Sequence, residues 1–324
     1  MSRPVWTVAV QLAYVQTEIT FDKVVEMSEV EEQAAVLVLT KATVGPWHHT
    51  ARVIQAAGSA LRLLSGDYTG LDQEDRAYAT EVVSRCRAGS LVRAEELIEG
   101  TRADGVHLIT VLDEEYPGNL DFAHNFQPFL WIRGRLIEED DRSIAVVGEH
   151  DPGGPEIGQV QQDVKALSEA GFTVVAGLDS AIHAAALATG GRTIATLAHG
   201  IAVPITSENA TLAKEIAHSG ALVSPFWPSA PITHTTVSLS RVVTSGLAAA
   251  VYLVNGEDGS GSAQQAQGAL AQGKHLFVPH QLHEQHRWVQ RMAYRGGVTV
   301  VRDIDDLLSQ VVILLDVTRH LKMF

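Results

Sequence analysis

Two glycine-rich stretches place backbone N–H groups where an anion could bind. The first, GEHDPGGPEIG, covers residues 148–158, and the second, GEDGSGS, covers residues 256–262. Each follows a short apolar run and precedes a segment with helical spacing, so its N–H groups would lie at the positive end of a helix dipole. Phosphate suits such a turn, although a tight strand-to-helix turn without a ligand explains each stretch equally well. The first stretch lacks the GxGxxG motif of dinucleotide-binding proteins.

Two further groups of polar residues have the residue types of a catalytic or metal site but lack the surrounding motif. Asp179, Ser180 and His183 have the residue types of a nucleophilic triad, but no GxSxG elbow surrounds the serine. Three histidines recur at every third position: His280, His283 and His286. They lack the H-E-x-x-H pairing or the nearby cysteines of a zinc site. We expect helix capping or ligand binding at residues 179–183, and neither catalysis nor a bound metal.

The elements that would position these residues alternate between strand and helix. Apolar runs at residues 143–147, 172–175 and 193–197 are separated by segments with helical spacing. Because the runs are apolar almost throughout, they indicate strands of a parallel sheet covered on both faces. The turns after such strands gather at the carboxyl edge of the sheet, and we expect a ligand there.

The alternation continues to the end of the chain and fixes the predicted architecture. Short leading strands are expected at residues 105–111 and 129–134, and a helical tail from Ile304. The prediction is an α/β fold with a Rossmann-like, doubly wound, mainly parallel sheet of six or seven strands. The first hundred residues have helical patterns broken by glycine and proline. We therefore divide the chain into a helical domain, residues 1–101, and a Rossmann-like domain, residues 102–324.

Composition limits the functions that remain. The 324 residues include 24 Lys and Arg against 38 Asp and Glu, a formal net charge of −14, and residues 1–115 and 116–324 are both acidic. Any nucleic-acid role must therefore rest on a local cationic patch. The single cysteine, Cys86, agrees with a reducing compartment. No signal peptide or long apolar run is recognisable, so a cytoplasmic location without membrane insertion is expected.

Short motifs from Tyr116 to Leu308 occur in one collinear series. They are YP at 116–117, LWIRG at 130–134, AVVG at 145–148, GLDSAIH at 177–183, GRTIA at 191–195, SGS at 260–262 and QGK at 272–274. Together they resemble the DprA/Smf family of DNA-processing proteins. The helical N-terminal part is similar to that family's sterile-alpha-motif-like domain.

The resemblance implies a function as well as a fold. It implies a non-enzymatic protein without a cofactor that binds single-stranded DNA and loads a RecA-type recombinase in natural transformation or recombination. It also implies a homodimer joined through the sheet domain, and the apolar tail at residues 311–315 with Leu321, Met323 and Phe324 would supply an apolar strip. The nucleic-acid or phosphate site carried over comprises Gly148, His150, Gly177, Asp179, Ser180, His183, Arg241, Ser260, Gly261, Ser262 and Lys274. Arg241 and Lys274 are the expected phosphate contacts.

Departures from the family pattern leave a second function open. Gly148-Glu149-His150 stands where the family has GSR, and Arg241 is the one arginine left of its RNR signature. The alternative is a divergent sensor of a nucleotide or nucleotide-derived ligand. A phosphoribohydrolase is disfavoured because the turn at residues 259–262 lacks a glutamate. The positions of six cationic side chains would distinguish the two functions. If they converge at the carboxyl edge, DNA is favoured, and if they are dispersed, a small ligand is favoured. The six are Arg192, Arg241, Lys274, Arg287, Arg291 and Arg295.

Overall fold

The computed structural model describes residues 29–149, 157–178 and 181–321, with side chains to residue 316. The chain divides into two compact units, Met1–Gly100 and Thr101–Phe324. Within the described ranges, no helix has both the length and the hydropathy needed to cross a bilayer.

The described part of the first unit is helical. Its helices are α1 (29–42), α2 (Trp47–Ala57), α3 (Ala60–Leu64), α4 (Gln73–Ser84) and α5 (Ser90–Ala103). A break separates α2 from α3, because Gly58 takes a left-handed backbone with φ +71° and ends α2. The Ser59 Oγ then accepts the Arg62 N–H at 3.1 Å and caps α3.

The second unit is built on one nine-stranded sheet. Its strands are β1 (Val106–Thr110), β2 (Phe129–Gly134), β3 (Ser143–Val147), β4 (Thr173–Gly177), β5 (Thr193–Thr196), β6 (Ala221–Ser224), β7 (Ala250–Leu253), β8 (His275–Pro279) and β9 (Val298–Val301). The strand order is β1-β2-β6-β5-β4-β3-β7-β8-β9. The seven strands β3 to β9 pair in parallel, and β1 and β2 join antiparallel at one side. The predicted doubly wound, mainly parallel sheet is confirmed.

Helices cover both faces of the sheet. They are α6 (Gly118–Asp121), α7 (Ile157–Glu169), α8 (Ala181–Leu187), α9 (Ala210–Ser219), α10 (His234–Leu247), α11 (Gly261–Ala271), α12 (His280–Gln285), α13 (Arg287–Tyr294) and α14 (Ile304–Leu321), with a 3₁₀ turn at Glu138–Asp141. One face carries α7, α8, α9 and α14, and its core includes the buried residues Ile144, Leu167 and Val174. The other face carries α10 and α11, with α13 beside α11.

Strand order locates the point where the chain reverses its direction of winding. From β3 the sheet grows through β4, β5 and β6 on one side and through β7, β8 and β9 on the other. The crevice outside the carboxyl ends of β3 and β7 is therefore the topological switch point, where open α/β sheets bind ligands. The two glycine-rich stretches of the sequence follow these two strands.

The tail helix α14 packs largely against its own unit. Val311 is fully buried, and Leu314 and Leu315 pack against the core under α7. Val312 and Ile313 are exposed. The apolar strip predicted over residues 311–315 is thus reduced to two exposed side chains, while the side chain of Leu321, together with Met323 and Phe324, lies outside the described residues.

Candidate anion-binding site at the switch point

Asn255 joins the turns after β3 and β7. Its Oδ1 accepts the Glu149 N–H at 2.7 Å, and its Nδ2 donates to the Glu149 carbonyl at 3.2 Å. A Cβ on Gly148 would lie 2.5 Å from Val254 Cγ2, so the close approach of the turns requires glycine there. The sequence motifs did not identify Asn255, although an asparagine directly after an apolar strand was a usable signal.

Two serines surround the N-terminus of α11. Ser260 is the N-cap and its Oγ accepts the Ala263 N–H at 3.2 Å, while the Ser260 and Ser262 hydroxyls lie 2.9 Å apart. Gly256 has φ +149°, and a Cβ there would clash with Ser262 Oγ. The turn is therefore tightly folded around the free N–H groups of an eleven-residue helix, whose dipole favours an anion.

Arg241 brings a positive charge to this helix end. It lies on α10, is half-buried, and places its guanidinium against Gly261, where a Cβ would come within 2.8 Å of Cζ. Within the described ranges this guanidinium has no hydrogen-bond or ion-pair partner. A half-buried cation without a counter-ion at a helix N-terminus is suited to bind phosphate.

A small cavity of about 120 Å³ continues from Arg241 between α10 and α11. Gln265 Nε2 donates to Ser245 Oγ at 3.4 Å, and Gln272 Nε2 donates to the Val242 carbonyl at 3.0 Å. The amide groups of these two glutamines therefore bind the helices to each other as well as lining the cavity.

The turn after β4 is held by a buried histidine. His183 is fully buried, with Nδ1 2.7 Å from Thr193 Oγ1 and Nε2 2.8 Å from the exposed Gly177 carbonyl. Both ring nitrogens thus contact the protein, and they join α8 to Thr193 of β5 and to the end of β4. His150, Asp179 and Ser180 lie outside the described residues.

Lys274 lies at the opposite edge of the sheet from Arg241. It directly precedes the parallel strand β8, and its Nζ donates to the Asn119 carbonyl at 2.5 Å with the residue only 8% exposed. Asn119 in turn donates to the carbonyls of Asp141 and Leu247, which precede β3 and β7. The expected position of Lys274 as a phosphate contact at the carboxyl edge is therefore corrected, because a residue before a parallel strand lies at the amino edge.

The remaining cations are dispersed as well. Arg192 lies at the amino edge, where its Nε binds Asp140 Oδ1 at 2.6 Å and its Nη1 donates to the Ser219 carbonyl at 3.0 Å. Arg287 and Arg291 are exposed on α13, and Arg295 is exposed directly after it as the C-cap residue. The six cations do not converge at one point of the carboxyl edge.

Two other predictions concern histidines and metals. His280 Nδ1 lies 3.6 Å from Glu284 and His286 Nδ1 3.9 Å from Glu257, so both face carboxylates. Among residues 29–149, 157–178 and 181–321, no group of three histidine, cysteine or acidic side chains is placed to hold a metal ion.

A buried carboxylate under the switch point was not found from the sequence. Asp163 of α7 accepts the Tyr252 Oη–H at 2.9 Å and the Gln159 Nε2–H at 2.9 Å. Burial raises the pKa of Asp163, and burial together with the Asp163 charge raises the pKa of Tyr252. The two residues connect α7 to β7 directly below the turns.

The fold and this site define a doubly wound α/β protein with a candidate anion-binding crevice at the switch point. A family model described as DNA recombination-mediator protein A matches residues 107–312. The chain belongs to this family of DNA-processing proteins.

Curated relatives agree with this assignment over part of their length. DNA processing protein DprA of Bacillus subtilis is 27% identical over 215 residues, covering 64% of this chain and 72% of its own. The putative DprA of Mycobacterium tuberculosis is 30% identical over 241 residues, covering 67% and 60%. Protein Smf of Escherichia coli is 32% identical over 180 residues, covering 53% and 47%.

Solved structures show the same fold. DprA from Streptococcus pneumoniae superposes with a TM-score of 0.64 at 21% identity, covering 86% of this chain and 97% of its own. DprA from Helicobacter pylori, described for its single-stranded DNA binding mode, superposes with a TM-score of 0.55 at 17% identity, covering 64% and 95%.

Proposed function

We propose that this protein binds single-stranded DNA at the switch point and acts in DNA processing without catalysing a reaction. The observation that carries the proposal is Arg241, a half-buried arginine with no counter-ion in the described ranges, against the N-terminus of α11. Such a group can bind the phosphate of a nucleotide whatever base that nucleotide carries. Family membership and the DNA-binding mode described for the Helicobacter pylori protein support a nucleic acid as the source of that phosphate.

The described side chains around the site favour binding over chemistry. The Ser260 and Ser262 hydroxyls hydrogen-bond each other, and His183 is enclosed away from both. A serine nucleophile needs a base within hydrogen-bond reach, and none of the described residues supplies one there. The proposed role requires no cofactor.

Family membership also supports a proposal about the larger role. We propose that the bound strand is transferred to a RecA-type recombinase during natural transformation or recombination, and that the protein acts as a homodimer through its sheet domain. The dimer is tested by sedimentation at micromolar concentration, and a monomer there contradicts it. Recombinase transfer is tested by whether the protein accelerates filament assembly on oligonucleotides coated with a single-strand-binding protein.

A second candidate, a sensor of a nucleotide-sized ligand, is favoured by one observation. Arg192 and Lys274 are held at the opposite edge, so one arginine and one helix N-terminus serve the switch point, next to the acidic Glu149. This set suits a single phosphate group. It would bind an extended polyanion weakly unless further cations lie along the strand.

The deciding experiment is fluorescence anisotropy of labelled oligo-dT across a salt series. Wild type should bind at about 50 mM salt, and Arg241→Gln should weaken binding and reduce the slope of log K against log salt by about 0.7. Lys214→Gln is the matched control, since Lys214 is an exposed cation on α9, which covers the other face of the sheet. Absence of binding by wild type at this salt, with thermal stabilisation by a mononucleotide, would reject DNA in favour of the sensor.

A further inference from the structure

Three arginines form a row along α13 and its C-cap residue, Arg295. Arg287, Arg291 and Arg295 are spaced by four residues and are all exposed. Residues spaced by four lie on one side of a helix and are about 6 Å apart along its axis. The row therefore presents one positive charge per turn over the length of the helix.

A groove runs beside this row, between α13 and α11. Its cavity is about 540 Å³, with Arg291 and Arg295 on one side and Trp288, Met292 and Leu270 among its apolar lining. Asp258, in the turn after β7, also lines the groove. Because Asp258 is two residues before Ser260, the groove begins next to the switch-point site.

The charges of the groove are available to a ligand. Arg291 pairs with Asp258 at 3.2 Å, but both side chains are 64% exposed, and such pairs are weak. Arg287 and Arg295 have no hydrogen-bond or ion-pair partner among the side chains that the structure describes. A phosphate can therefore bind this row without first breaking a buried interaction.

We propose that the groove between α11 and α13 carries the continuation of the single strand whose first phosphate binds at Arg241. The inference rests on the proposed function and extends it from one phosphate to a path. A periodic row of cations matches a polyanion with regularly spaced charges, and the apolar lining covers the non-polar parts of sugars and bases. Continuity with the switch-point turn favours nucleic acid over an acidic peptide.

Oligonucleotide length separates the path from the first site. With oligo-dT of about 4 and about 16 nucleotides, Arg287→Gln/Arg295→Gln should leave the short oligomer unaffected and weaken the long one. For the long oligomer the slope of log K against log salt should fall by about 1.4, that is, about 0.7 for each lost contact. Arg241→Gln should weaken both lengths, and Lys214→Gln neither.

Asp258→Asn provides a test that misfolding cannot imitate. Removing the carboxylate that competes for Arg291 should raise the affinity for the long oligomer and leave the short one unchanged. The inference is overturned if the double arginine variant binds long oligomers as wild type does, or weakens both lengths equally. It is also overturned if polyglutamate of matched charge displaces the long oligomer as well as unlabelled oligo-dT does. Wild type that binds neither length rejects both the path and the proposed function, whereas loss of the path alone leaves the response to Arg241→Gln intact.

Discussion

The positively charged side chains at the two edges of the sheet differ in whether they have a partner within the protein. At the amino edge, Arg192 binds Asp140 and Lys274 donates to the Asn119 carbonyl. At the carboxyl edge, Arg241 lies against α11 without a partner in the described ranges. The chemical types are alike, so residue type alone does not separate a cation that holds the fold from one that can bind a ligand.

Strand direction explains the difference. Residues before parallel strands lie where segments such as α6 and the 3₁₀ turn must be fixed to the sheet, and Asp140 and Asn119 serve that purpose. Residues near the carboxyl ends of the strands face turns with free N–H groups. A carboxylate of the protein at this edge would occupy the position of an anionic ligand. Substitutions at the amino edge should therefore change stability, and substitutions at the carboxyl edge should change ligand binding.

The largest expected effect is on stability, at the amino edge. Arg192→Met leaves the Asp140 carboxylate without its cation, and it should lower the free energy of unfolding by about 3 kcal/mol. Urea titration measures this. The affinity of the folded variant for oligo-dT should be unchanged, and a matching loss of affinity would break the distinction between the edges. Arg85→Met, which removes an exposed ion pair with Glu81 on α4, is the control and should leave stability nearly unchanged.

At the carboxyl edge, Gly261→Ala should act mainly on binding. The backbone at this position is not in the left-handed region, so alanine is allowed, but its methyl group must displace the Arg241 guanidinium. We expect affinity for oligo-dT to fall about tenfold, or about 1.4 kcal/mol, by anisotropy. Unfolding free energy should stay within about 0.5 kcal/mol. Gly268→Ala, in the same helix where a Cβ meets nothing within 4 Å, is the control and should keep wild-type affinity.

Ser260→Ala should have a smaller effect, on the helix cap. The hydroxyl accepts the Ala263 N–H, and its loss should cost about 1 kcal/mol in the urea titration. A much larger loss of unfolding free energy would mean that this turn stabilises the fold to the same extent as the contacts at the amino edge. Ser84→Ala, whose exposed Oγ donates to the Glu81 carbonyl within α4, is the comparison variant.

The pH dependence of stability should distinguish the carboxylate of Asp163 from that of Asp140. Asp140 has a cation partner, whereas Asp163 accepts from the neutral donors Tyr252 and Gln159, and burial raises its pKa. Because the folded state then binds a proton more readily than the unfolded state, this group favours folding at low pH and loses that contribution as pH rises through its folded pKa. Lowering the pH from 7 to 5 should therefore stabilise wild type relative to Asp163→Asn. Urea titrations of both proteins at the two pH values measure this, and parallel changes would contradict it.

Much of the architecture could be predicted because the signals are local. The buried strands β3 to β8 are apolar runs, and the turns after β3 and β7 carry glycines that the backbone requires. Arg241 could be assigned through its motif, and it does lie against Gly261 of the SGS turn.

The rest depended on contacts between distant residues. The position of Lys274 before a predicted strand already indicated the amino edge, but its burial depends on Asn119, 155 residues away. The Asp163 and Tyr252 pair spans 89 positions, and neither residue belongs to a recognisable motif. The break at Gly58 follows from one left-handed residue inside a helical pattern.

The hydrogen bonds between Glu149 and Asn255 also set when the switch-point crevice can first form during synthesis of the chain. The two residues are 106 positions apart, and the second turn completes the crevice only when it has been made. At about 5–20 residues per second, a ribosome takes roughly 5–20 s to pass from one turn to the other. A nascent chain therefore lacks the complete crevice until most of the sheet has been translated, so the crevice is present in nearly finished molecules and missing from shorter ones.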